Sequence, residues 1–356
     1  METVPYDKIV LEYSRTNSRR LSFTLVCLVL AFISLGISLS FGKYDIGFLE
    51  SYEILIGHIL GDGSLDEMKE MMVWDFRLPR ALMALAAGAG LAAGGAAMQS
   101  MMRNPLADPY TIGVSSGASL GATLMIVLGL SIVPFLDHQS SIIANAFAFS
   151  LVPVAVILLV TKFRKTTPTM MILSGIAVMY IFGATTQLVM LTANPDALAE
   201  AYEWGVGTLG KAKWSNIGAV VAASLGGILV LMLTSRTLNI LSAGDNCAKS
   251  LGVDSNRVRI ACMIVISLVT ATIVSFTGTI GFVGLISPHA VRIFLGSDNR
   301  FLIPASAAFG GLLLILADCA SRVAGPTGLP VGVVTALVGG PLFLILLIRM
   351  RKNAWR

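Results

Sequence analysis

Apolar residues in this chain do not alternate with polar ones at a helix or strand period. They run on for about twenty positions at a time, separated by short polar stretches. Ten such runs can be drawn, at 21–41, 79–102, 112–134, 141–161, 169–192, 215–234, 260–278, 279–295, 301–323 and 330–349. About twenty apolar residues is the length a helix needs to cross the hydrocarbon core of a bilayer. Long continuous runs, unlike alternating ones, can satisfy their backbone in a membrane only as helices. The pattern therefore predicts an all-α integral membrane protein with ten transmembrane helices. The run 279–295 is short and interrupted by Gly281, Gly284 and Pro288. Ten spans place both termini on one side.

The charges in the polar stretches choose that side. Under the ten-span layout one face receives Arg15, Arg19, Arg20, Arg103, Lys162, Arg164, Lys165, Arg236, Lys249, Arg257, Arg259, Arg300, Arg349, Arg351 and other basic residues. The opposite face receives only Lys43, Lys69, Arg77, Arg80, Lys211, Lys213 and Arg322. Basic excess marks the cytoplasmic side, so both termini are expected there. Dropping the run 279–295 would move the basic C-terminus outside. The resulting organisation is a cytoplasmic segment at 1–20, one ten-helix domain at 21–350 and a cytoplasmic tail at 351–356. Composition agrees: 55% of residues are hydrophobic, 13% are charged and the mean hydropathy is +0.82. The net charge of +5 reflects topology and not nucleic-acid binding.

The stretch Arg77–Gly121 is unusual among the runs. Its span is rich in Gly and Ala, with Ala86, Gly90 and Gly94 four apart on one face. Such stripes let helix backbones approach closely, so this helix is expected to be enclosed by others, its small-residue face either packed or bordering a pathway. Pro105 and Pro109 forbid a continuous helix through Asn104–Pro109, which reads as a tight cytoplasmic turn. Gly113, Ser115, Ser116, Gly117 and Ser119 then make a polar start to the third span. Those serines either bond back to helix carbonyls or wet a pathway wall.

Three connections carry their own patterns. The outer loop 42–75 is long and acidic, with a short amphipathic helix expected at the surface. The segment Asn194–Trp214 predicts a second outer helix flanked by Trp204 and Trp214, which suit a membrane interface. The cytoplasmic loop 235–259 contains Asp245, Ala248, Leu251 and Gly252 in the order of a short capped helix, Asp245 near its start and Gly252 near its end. A helix so short is marginal in water and is expected to rest on a partner surface. Near the C-terminus, Asp318 and Arg322 are four apart at the outer end of the ninth span, where both are expected to reach water.

No catalytic constellation stands out. There is no Ser/His/Asp set, no paired carboxylates and no phosphate-binding Gly-x4-Gly-Lys-Ser/Thr loop, so no ATP hydrolysis by this chain is expected. The four cysteines, Cys27, Cys247, Cys262 and Cys319, show no metal-ligand spacing and read as packed thiols. His289, beside Pro288, reads as a hydrogen-bonded structural residue. Acidic and basic residues are expected only in loops and at span ends. An ion-coupled carrier usually keeps a charge near the midplane, so an energy source acting through the cytoplasmic loop fits better. An ion-coupled secondary carrier for a small polar or chelate substrate is the alternative.

Nine short stretches, in order, give the chain a resemblance. They are Arg77-Leu-Pro-Arg80, Gly94-Gly-Ala-Ala-Met-Gln99, Asn104-Pro-Leu-Ala-Asp-Pro109, Gly113-Val-Ser-Ser-Gly117, Leu251-Gly-Val253, Gly281-Phe-Val-Gly-Leu285, Pro288-His-Ala-Val-Arg292, Ala317-Asp318 with Arg322, and Leu329-Pro-Val-Gly-Val333. With these the chain resembles the iron-siderophore and cobalamin (FecCD-type) permease family of type II ABC importers, from about Leu21 to Arg351. The resemblance implies a non-catalytic subunit in the cell membrane that pairs with a second permease copy, itself or a paralogue. Translocation would run by alternating access between the two, for an iron chelate (siderophore or haem) or cobalamin. It implies two ATPase subunits, which bind the ATP-Mg, and an extracytoplasmic binding protein that delivers the substrate; this chain itself would hold no cofactor or metal. By position it assigns Arg77, Arg80 and Arg322 to binding-protein docking, lipid headgroups being the other partner open to them. It assigns Asp245, Ala248, Leu251 and Gly252 to ATPase coupling. Gln99, Asn104, Pro105, Ser115, Ser116 and Gly175 fall at candidate gate and pathway positions.

Overall fold

The computed structural model describes residues 6–42, 44–61, 63, 65–163, 167–324 and 328–349. The expected tail at 351–356 lies outside the described residues. In chain order the helices are α1 (Tyr6–Ser40), α2 (Phe48–Leu60), α3 (Glu67–Met71), α4 (Leu78–Met102), α5 (Val114–Leu128), α6 (His138–Phe163), α7 (Pro168–Met190), α8 (Pro195–Val206), α9 (Trp214–Leu233), α10 (Ser235–Ser242), α11 (Asp245–Ser250), α12 (Ser255–Thr277), α13 (Val283–Leu295), α14 (Asn299–Val323) and α15 (Val331–Arg349). Among the described residues, seven helical stretches are long and apolar enough to cross a membrane. Three shorter apolar helices, Val114–Leu128, Val283–Leu295 and Val331–Ile345, coincide with the remaining predicted runs. The expected outer-loop helix is α2, and the expected helix before Trp214 is α8.

Local chemistry explains many of the boundaries. Thr167, Asn194, Asp254 and Asp298 each cap a helix by accepting a hydrogen bond from a first-turn amide. One boundary differs from expectation. The second span does not begin at Pro79: it is continuous from Glu67 to Met102, through a π-helical turn at Met72–Arg77. Pro79 sits in the first turn after that widened segment, where its missing N–H does little harm.

Helix α4 is the centre of the bundle. In the apolar stretch containing it 78% of residues are buried, against 17% for α7 and 22% for the spanning part of α1. It packs against α14, α9, α13, α12 and α10. The small side chains are what permit this. At Gly95 a Cβ would overlap the carbonyl oxygen of Gly284, and that carbonyl lacks its helical donor because Pro288, four residues on, has no N–H. Gly90 lies against Ser224 and Ile273, and Gly94 against Ile266 and Pro109. Gly90 and Gly94 are therefore packed within the chain.

The segment after α4 is not the simple cytoplasmic turn expected at Asn104–Pro109. Arg103 adopts a left-handed conformation (φ 51°) and ends the helix. The chain then climbs back along α4 without helical structure. Pro109 reaches the level of Gly94, and Asp108 and Pro109 both lie beside Gly284. That level is about 12 Å above the end of α4, at 1.5 Å per residue. Irregular backbone at such depth survives only when protein encloses it and satisfies its polar groups. Here Asp108 accepts a hydrogen bond from Tyr110 N (2.8 Å), Asn104 accepts one from Leu106 N (3.0 Å), and the Tyr110 hydroxyl donates to Ile280 O (3.1 Å). Helix α5 starts from this inserted segment, which is why it is only fifteen residues long.

Candidate functional site

Charged side chains gather at the two ends of α4. At the N-terminal end, the outer one under the expected topology, the centre is Asp318, on α14, with its side chain fully buried. Arg80 grips it through Nε and Nη2 at 2.8–3.1 Å. Arg322, one helical turn along, donates to Asp318 Oδ2 (2.9 Å from Nε) and to Ser38 O (2.8 Å). Arg77 is 5% exposed and donates to the carbonyls of Leu39 (2.6 Å), Ser40 (2.9 Å) and Tyr44 (2.6 Å). The expectation that Asp318 and Arg322 both reach water is thus corrected. Their opposite charges satisfy one another inside the fold, together with Arg80, 238 positions from Asp318 in sequence. Of the three arginines, Arg80 keeps the most accessible side chain, at 26%, against 10% for Arg322.

At the C-terminal end of α4, the inner one under the expected topology, the centre is Arg259, on α12, which is 1% exposed. Its Nε donates to Met101 O at the last turn of α4 (3.1 Å), and its terminal nitrogens pair with the carboxylate of Asp245. Asp245 opens α11 as its first residue. Gly244, not Asp245, occupies the capping position, and the Asp245 carboxylate turns to Arg259 instead of to the helix amides. The hydrogen bond from Arg259 holds that carboxyl below the usual carboxylate range. Ala248 is fully buried against the body of the chain, so α11 rests on its own protein. Leu251 is 61% exposed at the tip, and Gly252 (φ 74°) completes the turn in the left-handed region that glycine favours.

A second set of bonds ties the same end together. Ser100 Oγ on α4 donates to Asn299 Oδ1 (2.7 Å), and Asn299 Nδ2 donates to Asn239 Oδ1 on α10 (2.9 Å). Asn239 Nδ2 donates to Asp298 Oδ1 (2.7 Å), and Asp298 also holds Arg300 and lies 3.6 Å from Arg20 Nη1. Burial pushes the Asp298 carboxyl up. The hydrogen bonds from Arg300 and Asn239, with the Arg300 charge, more than offset this and bring it from 3.8 down to about 2.

The remaining predicted positions are scattered. Gln99 is buried and donates to Leu285 O (3.2 Å). Asn104 and Pro105 sit at the foot of the inserted segment, and Ser116 bonds back to Gly113 O (2.8 Å) while Ser115 is half-buried. At Gly175 on α7 a Cβ would crowd the backbone of Thr111 and Ile112, so this glycine seats α7 against the inserted segment. His289 is buried with its ring edge-on to Phe343, and neither ring nitrogen has a hydrogen-bond partner among the described residues. The hydrogen bonds expected for it are therefore missing. All four cysteines are free thiols, three of them buried. Among the described residues no cluster of three metal-ligating side chains occurs.

Sequence reading did not single out Arg259, Asn239, Asn299 or Ser100. It also placed Asp108 in a surface turn and expected Asp318 to reach water, whereas Asp108 and Asp318 are interior carboxylates. Each is compensated: Asp318 by two guanidinium groups, and Asp108 by the Tyr110 amide and by its place at the first turn of α13, the positive end of that helix.

Comparison with known proteins follows the same architecture. The FecCD transport family matches residues 28–349. The chain is 35% identical over 333 residues to an Fe(3+)-citrate import system permease protein of Bacillus subtilis, covering 93% of this chain and 96% of that protein. It is 40% identical over 283 residues to a cobalamin import system permease protein of Halobacterium salinarum, covering 79% of this chain and 74% of that one. A metal-chelate type ABC transporter solved in an inward-facing conformation superposes with a TM-score of 0.81 at 28% identity, covering 92% of this chain and 99% of that chain. A central small-sided helix, an inserted segment after it and a short helix held on an arginine are thus features of a chain that belongs to the FecCD transport family.

Proposed function

We propose that this chain is the membrane-spanning permease subunit of an ATP-driven importer for an iron chelate or a corrinoid. It works as ten spans with both termini in the cytoplasm and is paired with a second permease copy. The basic residues around Arg103, Arg257 and Arg300 against the acidic side at 42–75 support that orientation. Energy enters from separate ATPase subunits that bind ATP-Mg, and the substrate arrives on an extracytoplasmic binding protein.

One observation carries the mechanism: Arg259 joins α11 to the last turn of α4 through a single buried side chain. A push on α11 from an ATPase closing on ATP is delivered through Arg259 to Met101 and thus to the segment Arg103–Gly113 that follows it. Leu251 offers the exposed apolar contact, while Ala248 and Gly252 set the shape of the helix. The segment beginning at Asn104 and Pro105, seated on Gly175 and running into Ser115 and Ser116, is the part that shifts between inward- and outward-open states. On the outer face Arg80 meets a carboxylate of the binding protein, with Asp318, Arg322 and Arg77 fixing its position.

The experiment is reconstitution with the ATPase and binding protein from the same genome. ATP-dependent uptake of a ferric chelate or a corrinoid that requires all three components is the expected result. Uptake driven by an ion gradient without the ATPase would overturn the reading in favour of a secondary carrier.

A further inference from the structure

The acidic outer loop contains a helix whose chemistry does not match its sequence setting. On α2 the side chains of Phe48, Leu49, Ile56, Ile59 and Leu60 are 39%, 72%, 55%, 67% and 77% exposed. At 100° per residue these five fall within one third of the helix circumference. The opposite face, Ser51, Ile54 and Gly57, is buried against the protein. Two of its polar groups are turned aside and paired, Glu50 with Lys69 at 2.5 Å and His58 with Glu70 at 2.5 Å, while the exposed Glu53 borders the apolar arc beside Leu60. A contiguous exposed apolar face of this kind marks an interaction surface.

Its level along α1 identifies what covers it. The Tyr52 hydroxyl donates to Phe32 O (2.6 Å) and accepts from Gly36 N (3.1 Å), and its ring stacks on Phe32 at 5.4 Å. Phe32 lies eight residues before the end of α1 at Ser40, about 12 Å down the helix axis. Helix α2 therefore lies beside the last turns of α1 and not above them. Phe32 is itself 62% exposed, on a span whose Leu25 and Leu28 are 62% and 54% exposed. The apolar arc of α2 continues that lipid-facing surface sideways. Trp74 and Trp214, with centroids 5.1 Å apart and joined by a bond from Trp214 Nε1 to Trp74 O, stand near the return of the loop, as interface tryptophans do.

We infer that α2 is a half-submerged interfacial helix: its Leu49–Ile56–Ile59–Leu60 face contacts acyl chains of the outer leaflet, and its Glu50 side faces water and protein. The acidic loop is then a membrane-seated brace beside the carbonyls of Leu39, Ser40 and Tyr44 that hold Arg77.

Nitroxide labels at Ile56→Cys and Ile59→Cys, in a Cys247→Ser background of the full chain reconstituted in liposomes, test this. Phe32→Cys serves as the lipid reference and Glu67→Cys as the aqueous one. Collision with oxygen several-fold stronger than with a water-soluble nickel chelate, as at Phe32→Cys, is the expected result at both positions. Nickel-dominated collision, as at Glu67→Cys, would overturn the inference. So would a label shielded from both reagents only once the binding protein is added, because the face would then belong to that partner. Quenching of an Ile56→Trp variant by lipids brominated on the acyl chain gives a second reading, and its absence counts against lipid contact.

Discussion

The outer and inner ends of α4 use the same chemistry, an arginine on a carboxylate, to different effect. Outside, one fully buried carboxylate is held by two arginines, Arg80 and Arg322, and Arg322 is also bonded to the backbone of α1 at Ser38 O. Every partner belongs to the membrane body, so the arrangement locks α1, α4 and α14 together. Inside, the buried partner is the arginine. Its carboxylate, Asp245, is 49% exposed and rides on a six-residue helix. That pair connects the body to an element that an outside partner can reach. The placement of the buried charge separates a lock from what the proposed mechanism uses as a lever.

The largest expected effect comes from breaking the lock. Asp318→Asn leaves Arg322 and part of Arg80 without a counter-charge in the interior, a loss of about 3–5 kcal/mol for a buried pair. It should appear as a lowered Tm in detergent, and binding-protein docking should weaken in the complexes that survive. A Tm close to that of the natural chain would show that the outer end is not held this way. Next is the lever. Arg259→Met removes charged hydrogen bonds worth about 1.5–3 kcal/mol, and here the ratio of substrate moved to ATP hydrolysed should fall. Arg259→Lys, which keeps the charge but cannot span Met101 O and Asp245 together, should fall similarly. An intact ratio in both variants would reduce Arg259 to a packing residue.

Ser100→Ala is a smaller cut at the same end. It removes the bond from α4 to Asn299 and should cost about 1 kcal/mol, measured by chemical or thermal unfolding, with only partial loss of coupling. The smallest effect depends on pH. The Asp298 carboxyl is lowered from 3.8 to about 2 in the folded chain. Its stabilisation is therefore complete above the ordinary carboxylate value and is lost as pH falls through 2. Between pH 5 and 8 the Tm gap between the natural chain and Asp298→Asn should stay constant, and it should narrow below about pH 4. A gap that changes near neutral pH would mean another group governs that cluster.

Much of the fold was legible because its main determinant is one-dimensional. Bilayer thickness sets run length, and the basic bias sets expected orientation, so spans could be read without knowing which helices touch. The helix at Asp245–Ser250 and the outer helices α2 and α8 were legible for a similar reason, since caps and turns depend on near neighbours. The inserted segment was not. Asn104–Pro109 reads as a break in helix, and a break carries no information about whether the chain afterwards stays at the surface or climbs beside α4. That depends on Gly94 and Gly284 making room for Pro109 and Asp108, and on Gly95 letting Gly284 approach, a contact between distant parts of the chain.

By itself the sequence determined that this is a multi-helix membrane protein with a small-sided central span, and its ordered motifs determined the family resemblance. Tertiary structure alone decided the partners of the charges: Arg80 and Arg322 on Asp318, Arg77 on three carbonyls, Arg259 on Met101 and Asp245. A charge near the end of an apolar run looks the same in sequence whether it faces water or an opposite charge on a distant helix. Burial makes an unpaired ion costly, so only the packing of the whole bundle determines which is true. The Arg77–Gly121 stretch shows both sides of this: its small residues announced a central helix, and its neighbours made one end a lock and the other a lever.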